Sequence, residues 1–377
     1  MHPEFELSPE LIYLNHAGVA PWPRRTKNAV LRFAEENARF GAAYYPEWLK
    51  VENRLRQRLK VLLNAPSEED IALVKNTSEA ISFVAYGLPW QEGDNIVSCL
   101  EEFPSNRIPW ESLKDQGVSL RLADLDQTET PEEALFALVD RATRLISISS
   151  VQYASGRRMD LERIGGFCRK RGILLCVDAI QSLGALCTDV QAWQADFVMA
   201  DGHKWLLGPE GLGVFYTTPR ARELLKLHEY GWHMVEHAGD YERCDWQIAH
   251  CARRFECGSP NFLGIYALEA SLSLLMEVGM AEVERQVREN ASYLLEILQK
   301  DSRFKLLTPP KRHAGIVTFR PQTCDPKELY QHLRQQGIIC ALRGNGIRFS
   351  PHFYTSREEL DQALSTVGEY LAALNKA

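Results

Sequence analysis

Lys204 sits in the segment Asp201-Gly202-His203-Lys204-Trp205, directly after the apolar run Phe197–Ala200 and ahead of a turn rich in glycine. A primary amine at that place can condense with a carbonyl group or accept a proton, and packing alone does not call for it. Glycines at 202, 208, 211 and 213 would let the backbone approach a ligand closely. A surface lysine in a loop is the plainer reading of the same segment. A second position of interest is Asp178, at the end of the continuously apolar stretch Ile173–Val177. A carboxylate buried there without a partner would be costly. It is either a helix cap or partner to an arginine, or it holds the proton on the ring nitrogen of a pyridine cofactor, with Gln181 three residues on in reach of that ring's phenolic oxygen. A third is Thr77-Ser78, opening the helical pattern Ile81–Tyr86. Hydroxyls at a helix start are ordinary caps, and they are also what a phosphate needs, since free N–H groups and the helix dipole point at it.

The elements around these residues alternate. Helical spacing runs over Arg25–Phe40 and Trp48–Leu63. Strand-like runs at Ile96–Leu100, Leu145–Ser149, Gly172–Val177, Phe197–Ala200 and Gly213–Tyr216 are interleaved with helical patterns such as Leu161–Arg171. Short apolar runs separated by helices predict an α/β fold around a mostly parallel sheet, which places Asp178 and Lys204 at its C-terminal edge. A long helical pattern, Asn261–Val278, leads into residues 280–377, which read as α+β with strands around Gly315–Arg320. The expected division is an arm at 1–16, a large domain at 17–265 and a small C-terminal domain at 266–377, with the boundary in a window of 260–285. The N-terminal helical part is counted in the large domain and is expected to pack with the small one.

The charge balance is 43 basic against 50 acidic side chains, net −7, so no general attraction to nucleic acid or to an anionic membrane surface is expected. No apolar run approaches the length of a membrane span, and the first residues lack the pattern of a secretory leader. The nine cysteines form no CxxC pair and no metal-ligand spacing, which predicts isolated thiols, a cytoplasmic location and no bound metal.

Taken in order, Thr77-Ser78, Val177-Asp178-Ala179-Ile180-Gln181 and Gly202-His203-Lys204, with 26 residues from Asp178 to Lys204, resemble the class V aminotransferase family of fold-type I pyridoxal phosphate enzymes. That family includes cysteine desulfurases, kynureninase and isopenicillin N epimerase. The resemblance runs from Tyr13-Leu14-Asn15 to Phe349-Ser350-Pro351 and implies a large domain with a mostly parallel seven-stranded sheet plus a smaller α+β domain. It implies that Lys204 carries pyridoxal 5′-phosphate as a Schiff base and that Asp178 partners the pyridine nitrogen. Gln181 would reach the phenolic oxygen, with Thr77, Ser78 and His203 on the phosphate. Phe103 would stack on the ring where desulfurases place a histidine; stacking survives but a titratable group is lost. Ser259, in Gly258-Ser259-Pro260, would reach the phosphate of a neighbouring subunit, implying a homodimer with composite active sites. Arg348 would bind the α-carboxylate of a small amino-acid substrate, with Arg343 as the next candidate. Tyr153 would stand at the cofactor's edge in place of the desulfurase asparagine, and a core tyrosine is the rival reading. Asp201 replaces a serine common in relatives and is given no phosphate role, because a carboxylate there must turn away or be paired.

The reaction stays open at this level. Transamination, C–S lysis, epimerisation and desulfuration through Cys340 share the same Cα step. Cys340 lies in a strand-like run, and the short Arg343-Gly344-Asn345-Gly346 turn leaves no room for a loop bearing a nucleophilic cysteine. A catalytically inactive scaffold or regulator of the same fold is the alternative from a different class.

Overall fold

The computed structural model describes residues 2–374. The first strand, β1, is Ile12–Tyr13, and two helices follow at Arg24–Phe40 and Tyr45–Leu63. The chain then builds one sheet from β2 (Ile71–Val74), β3 (Asn95–Cys99), β4 (Ser119–Ala123), β5 (Thr143–Ser149), β6 (Leu174–Asp178), β7 (Phe197–Asp201) and β8 (Gly213–Thr217). Their spatial order is β2-β8-β7-β6-β5-β3-β4. All neighbours are parallel except β8, which runs antiparallel to both β2 and β7. The sheet has seven strands and is mostly parallel, as the resemblance implied. Every residue of β6, β7 and β8 is buried, which is why they read as unbroken apolar runs rather than as alternating ones.

β4 lies on one side of β3 and β5 on the other, so the segments leaving β3 and β5 part and open a crevice at the strand C-termini. The helix Thr77–Gly87 begins just beyond β2 with Asn76 as its cap, the side-chain oxygen accepting the Glu79 N–H at 2.9 Å.

A second core lies towards the C-terminus. β9 (Phe304–Leu306), β10 (Val317–Pro321), β12 (Ala341–Arg343) and β13 (Gly346–Phe349) form an antiparallel sheet in the order β12-β13-β10-β9, while β11 (Ile338–Ile339) pairs in parallel with β1. Leu294, Leu298, Phe319, Leu333 and Val367 fill it together with Ile12 and Leu14 of the arm. The arm is thus a working part of this second core. The helix Phe262–Val278, in contrast, packs Ile265, Leu268 and Leu272 into the core of the large sheet, against Leu55 and Leu59. A division at 265/266 therefore cuts a helix of the first core. At Gly279 the chain turns by 83° into the next helix, Met280–Lys300, whose Val283 and Val287 still pack into the first core while Leu294 and Leu298 enter the second. No single helix among the described residues is long and apolar enough to cross a membrane.

Candidate active site

A cavity of about 380 Å³ opens at the C-terminal ends of β3, β5, β6 and β7. Lys204 reaches it from the turn after β7. That turn folds back on itself: Gly202 N–H donates to Leu212 O at 2.9 Å and Gly208 N–H to Gly202 O at 2.8 Å. A Cβ on Gly202 would lie 2.8 Å from the backbone oxygen of Leu212, so the close approach needs glycine there. Lys204 Nζ stands 5.6 Å from the centre of the Phe103 ring. Burial pushes the ammonium down to about 8, against the opposing pull of Asp178, and Arg348 pushes in the same direction as burial.

Asp178 ends β6 on the cavity floor, with Oδ1 accepting the Ile180 N–H at 2.9 Å. Burial drives its carboxyl up to about 7. Gln181 follows with its amide fixed on both ends: Nε2 donates to Ala17 O at 3.1 Å, and Oε1 accepts from Trp205 Nε1 at 3.0 Å. On the opposite wall the side chains of Phe103, after β3, and Tyr153, after β5, meet edge to face at 5.1 Å.

Thr77 and Ser78 occupy the first turn of the helix Thr77–Gly87. Thr77 Oγ1 is buried without a hydrogen-bond partner among the described residues, and Ser78 Oγ donates to Ser105 Oγ at 2.8 Å. His203 Nδ1 lies 3.2 Å from Asp201 Oδ1, a close approach that is not aligned as a hydrogen bond. Asp201 Oδ1 accepts its neighbour's Gly202 N–H at 3.1 Å, so that oxygen is turned to the backbone and to the imidazole.

Arg348 is 2% exposed. Alternation along β13 sends Ile347 and Phe349 into the second core and Arg348 into the cavity. Its Nη1 donates to Tyr153 O at 2.8 Å and Nη2 reaches Asn15 Oδ1 at 3.4 Å, while Nε is buried and unpartnered. No carboxylate pairs with it among the described residues. Burial, with Arg343 nearby, pushes the guanidinium down to about 9, still charged at neutral pH. Arg343 lines the same cavity.

The cavity thus gathers Thr77, Ser78, Phe103, Tyr153, Asp178, Gln181, His203, Lys204 and Arg348. Ser259 is not among them. It lines a separate pocket with Lys75, Cys257 and Asn261. Cys340 is also apart: its side chain is buried in the second core, and burial pushes the thiol up to about 12. This argues against a nucleophilic Cys340, because burial outweighs the pull of Arg334 and Arg348 and leaves the thiol neither ionised nor reachable. The hairpin after it is closed by two residues, Gly344 and Asn345, both at positive φ, between paired Arg343 and Gly346. Sequence reasoning had not assigned Asn15 or Ser105 to the site. Asn15 stood in the motif that carried the resemblance, whereas Ser105 showed only an ordinary serine after a proline.

Elsewhere, Glu52, His233 and Glu256 bring ligand-type atoms together. Arg56 already occupies both carboxylates, at 2.6 Å and 2.7 Å, so the cluster is an ion-pair network rather than a vacant cation site.

Residues 12–362 match the family described as aminotransferase class-V, and the chain belongs to that family. It is 29% identical to a probable cysteine desulfurase of Methanothermobacter thermautotrophicus, over 95% of this chain and 94% of the relative. Its fold is shared, at 23% identity, with the cystine C-S lyase C-DES in complex with cysteine persulfide (TM-score 0.88, covering 95% of this chain and 97% of that one). The cysteine desulfurase CsdA of Escherichia coli is similar to the same degree (TM-score 0.86, 97% and 96% covered, 23% identity). The protein is accordingly an enzyme of the pyridoxal phosphate-dependent class V aminotransferase and cysteine desulfurase superfamily.

Membership implies pyridoxal phosphate, and the residues fit it. The orphaned Thr77 hydroxyl lies at a helix N-terminus suited to a phosphate. A buried carboxylate at Asp178 suits a protonated ring nitrogen, and Lys204 faces the Phe103 ring across the space between.

Proposed function

We propose that the chain removes the Cα proton of a sulfur-bearing amino acid and expels its β-sulfur substituent, a C–S lyase reaction. When bound, pyridoxal phosphate supplies the carbonyl carbon that joins the substrate amine and an electron-accepting ring that spreads the charge left at Cα. Thr77, Ser78 and His203 would hold its phosphate, and Phe103 would cover one face of the ring. Asp178 would keep the ring nitrogen protonated, which the cofactor's positive charge makes favourable for a carboxylate otherwise raised by burial. Gln181 would bond the phenolic oxygen, and Tyr153 would close the edge.

The observation that carries the amino-acid part of the reading is Arg348, buried, charged and without an acid partner among the described residues, on the wall of the cavity that holds Lys204. A planar fork there suits a carboxylate. With the carboxylate held, Lys204 is placed to take the Cα proton, and its lowered pKa leaves a useful share of free amine near pH 8. The choice of elimination over thiol-mediated desulfuration is supported by Cys340 in the second core and by the absence of any cysteine among the residues lining the cavity.

The test is product analysis of the cofactor-loaded protein with cystine, cysteine and alanine. Pyruvate with ammonia and the expelled sulfur group, sulfide from cysteine or cysteine persulfide from cystine, supports elimination. A 2-oxo acid without ammonia, formed only with an amino-group acceptor, would replace it by transamination, and inversion at Cα by epimerisation. A protein that takes up no cofactor, and shows no yellow colour bleached by borohydride, would be a scaffold.

The same reading includes a homodimer in which Ser259 reaches the neighbouring subunit's phosphate, supported by its place outside this chain's own cavity. It also includes a cytoplasmic location, supported by nine free cysteines.

A further inference from the structure

The indole N–H of Trp205 donates to Gln181 Oε1 at 3.0 Å, and Gln181 Nε2 donates to Ala17 O at 3.1 Å. An indole N–H can only donate and a backbone carbonyl can only accept, so these two contacts admit one orientation of the amide. Turned over, the amide would set N–H against N–H and carbonyl against carbonyl. What remains free on its nitrogen is a single N–H, on a side chain that lines the cavity.

Trp205 itself is fully buried and tightly held. Its carbonyl accepts from His352 Nε2 at 3.1 Å, while His352 Nδ1 accepts the Phe353 N–H at 2.8 Å, which fixes that imidazole as the Nε2–H tautomer. A Cβ on Gly184 would run into the Trp205 carbonyl oxygen, and one on Gly315 would lie 2.6 Å from the far edge of the indole. The indole is thus closely bounded at its far edge, and the backbone that carries it is closely bounded at Gly184.

We propose that Trp205 is a positioning residue: its indole N–H fixes the Gln181 amide so that an N–H, not the carbonyl, meets the phenolic oxygen of pyridoxal phosphate. The inference rests on the cofactor reading above. An N–H facing that oxygen favours its ionised form, so the bound cofactor titrates at lower pH with the amide held than with it free to turn.

The experiment is a pH titration of the visible absorption band of the cofactor-loaded protein, for the parent, Trp205→Phe, Gln181→Ala and the double variant. Trp205→Phe should raise the midpoint by about one pH unit, a tenfold change in proton binding. The double variant should match Gln181→Ala alone, because both changes act through one hydrogen bond. Phenylalanine leaves part of the slot empty, so Trp205 is also replaced by benzothienylalanine, which keeps the bicyclic shape and carries sulfur where the N–H was. The same upward shift is expected. An unchanged midpoint in the benzothienyl variant, or additive shifts in the double variant, would overturn the proposal while leaving the cofactor reading in place. A parent chain that binds no cofactor would remove that reading and this inference together.

Discussion

Replacing Arg348 by lysine isolates what a guanidinium fork adds to a plain positive charge. A guanidinium carries five N–H donors. At Arg348 one is committed to Tyr153 O at 2.8 Å, and a second reaches Asn15 Oδ1 only at 3.4 Å. The Nε–H is buried, so what is left for a substrate carboxylate is one N–H on each of Nη1 and Nη2, a parallel pair. Lysine keeps the charge but offers a point contact, and it cannot hold Tyr153 O and grip both carboxylate oxygens in one plane. One charge-assisted hydrogen bond is worth about 1.5–3 kcal/mol. At 1.36 kcal/mol per factor of ten, its loss lowers kcat/KM by about 10- to 150-fold. Most of that loss should appear in KM, with a smaller part in kcat because Cα is held less well against Lys204. The assay is initial rates over a range of amino-acid concentrations, on a substrate established by product analysis, with the cofactor spectrum recorded alongside. The spectrum should barely change, since Arg348 is not placed on the phosphate. Kinetic constants within about twofold of the parent would refute the reasoning, and Arg343, on the same cavity wall, would take over the role.

Lys204→Ala should abolish the borohydride-sensitive colour and nearly all turnover while far-ultraviolet circular dichroism stays as in the parent; retained turnover rejects the assignment. Asp178→Asn should keep the cofactor bound but cut Cα chemistry strongly, and it should also change how the cofactor-free fold responds to pH. The native carboxyl, raised to about 7, keeps its proton where an unfolded aspartate, near about 3.9, has lost it. Stability present below pH 4 is therefore lost as pH rises through 7, and the asparagine variant should lack that decline in melting temperature; parallel slopes would count against it. Cys340→Ala should leave turnover unchanged and lower the melting point modestly, since the thiol serves only the second core; loss of activity without loss of fold would restore it as a nucleophile. Sedimentation at assay concentration should show a dimer, and Ser259→Ala should weaken phosphate binding; a fully active monomer with undiminished cofactor affinity would contradict the composite site.

Much of this arrangement was legible because the sheet is buried on both faces. Leu174–Val177 and Phe197–Ala200 stand out as unbroken apolar runs, and a charged residue at or just beyond the end of such a run, Asp178 or Lys204, has few purely structural reasons to be there. The edge strand β4 was harder to see, because Ser119–Arg121 are only partly covered and no apolar run marks them. The helix Phe262–Val278 was ambiguous for a different reason. It is apolar on most sides, so its pattern says that it is buried but not in which core. What no local pattern could provide is the setting of the polar groups. Arg348 takes its geometry from Tyr153, 195 residues away, and from Asn15, 333 residues away. Gln181 shows the division most clearly: its type and its place three residues after Asp178 can be read from the chain. Which end of its amide faces the cavity is decided by Ala17, 164 residues earlier, and by Trp205, 24 residues later. The residue types at this site follow from local chemistry, whereas their orientations follow from contacts that exist only once both cores have formed around them.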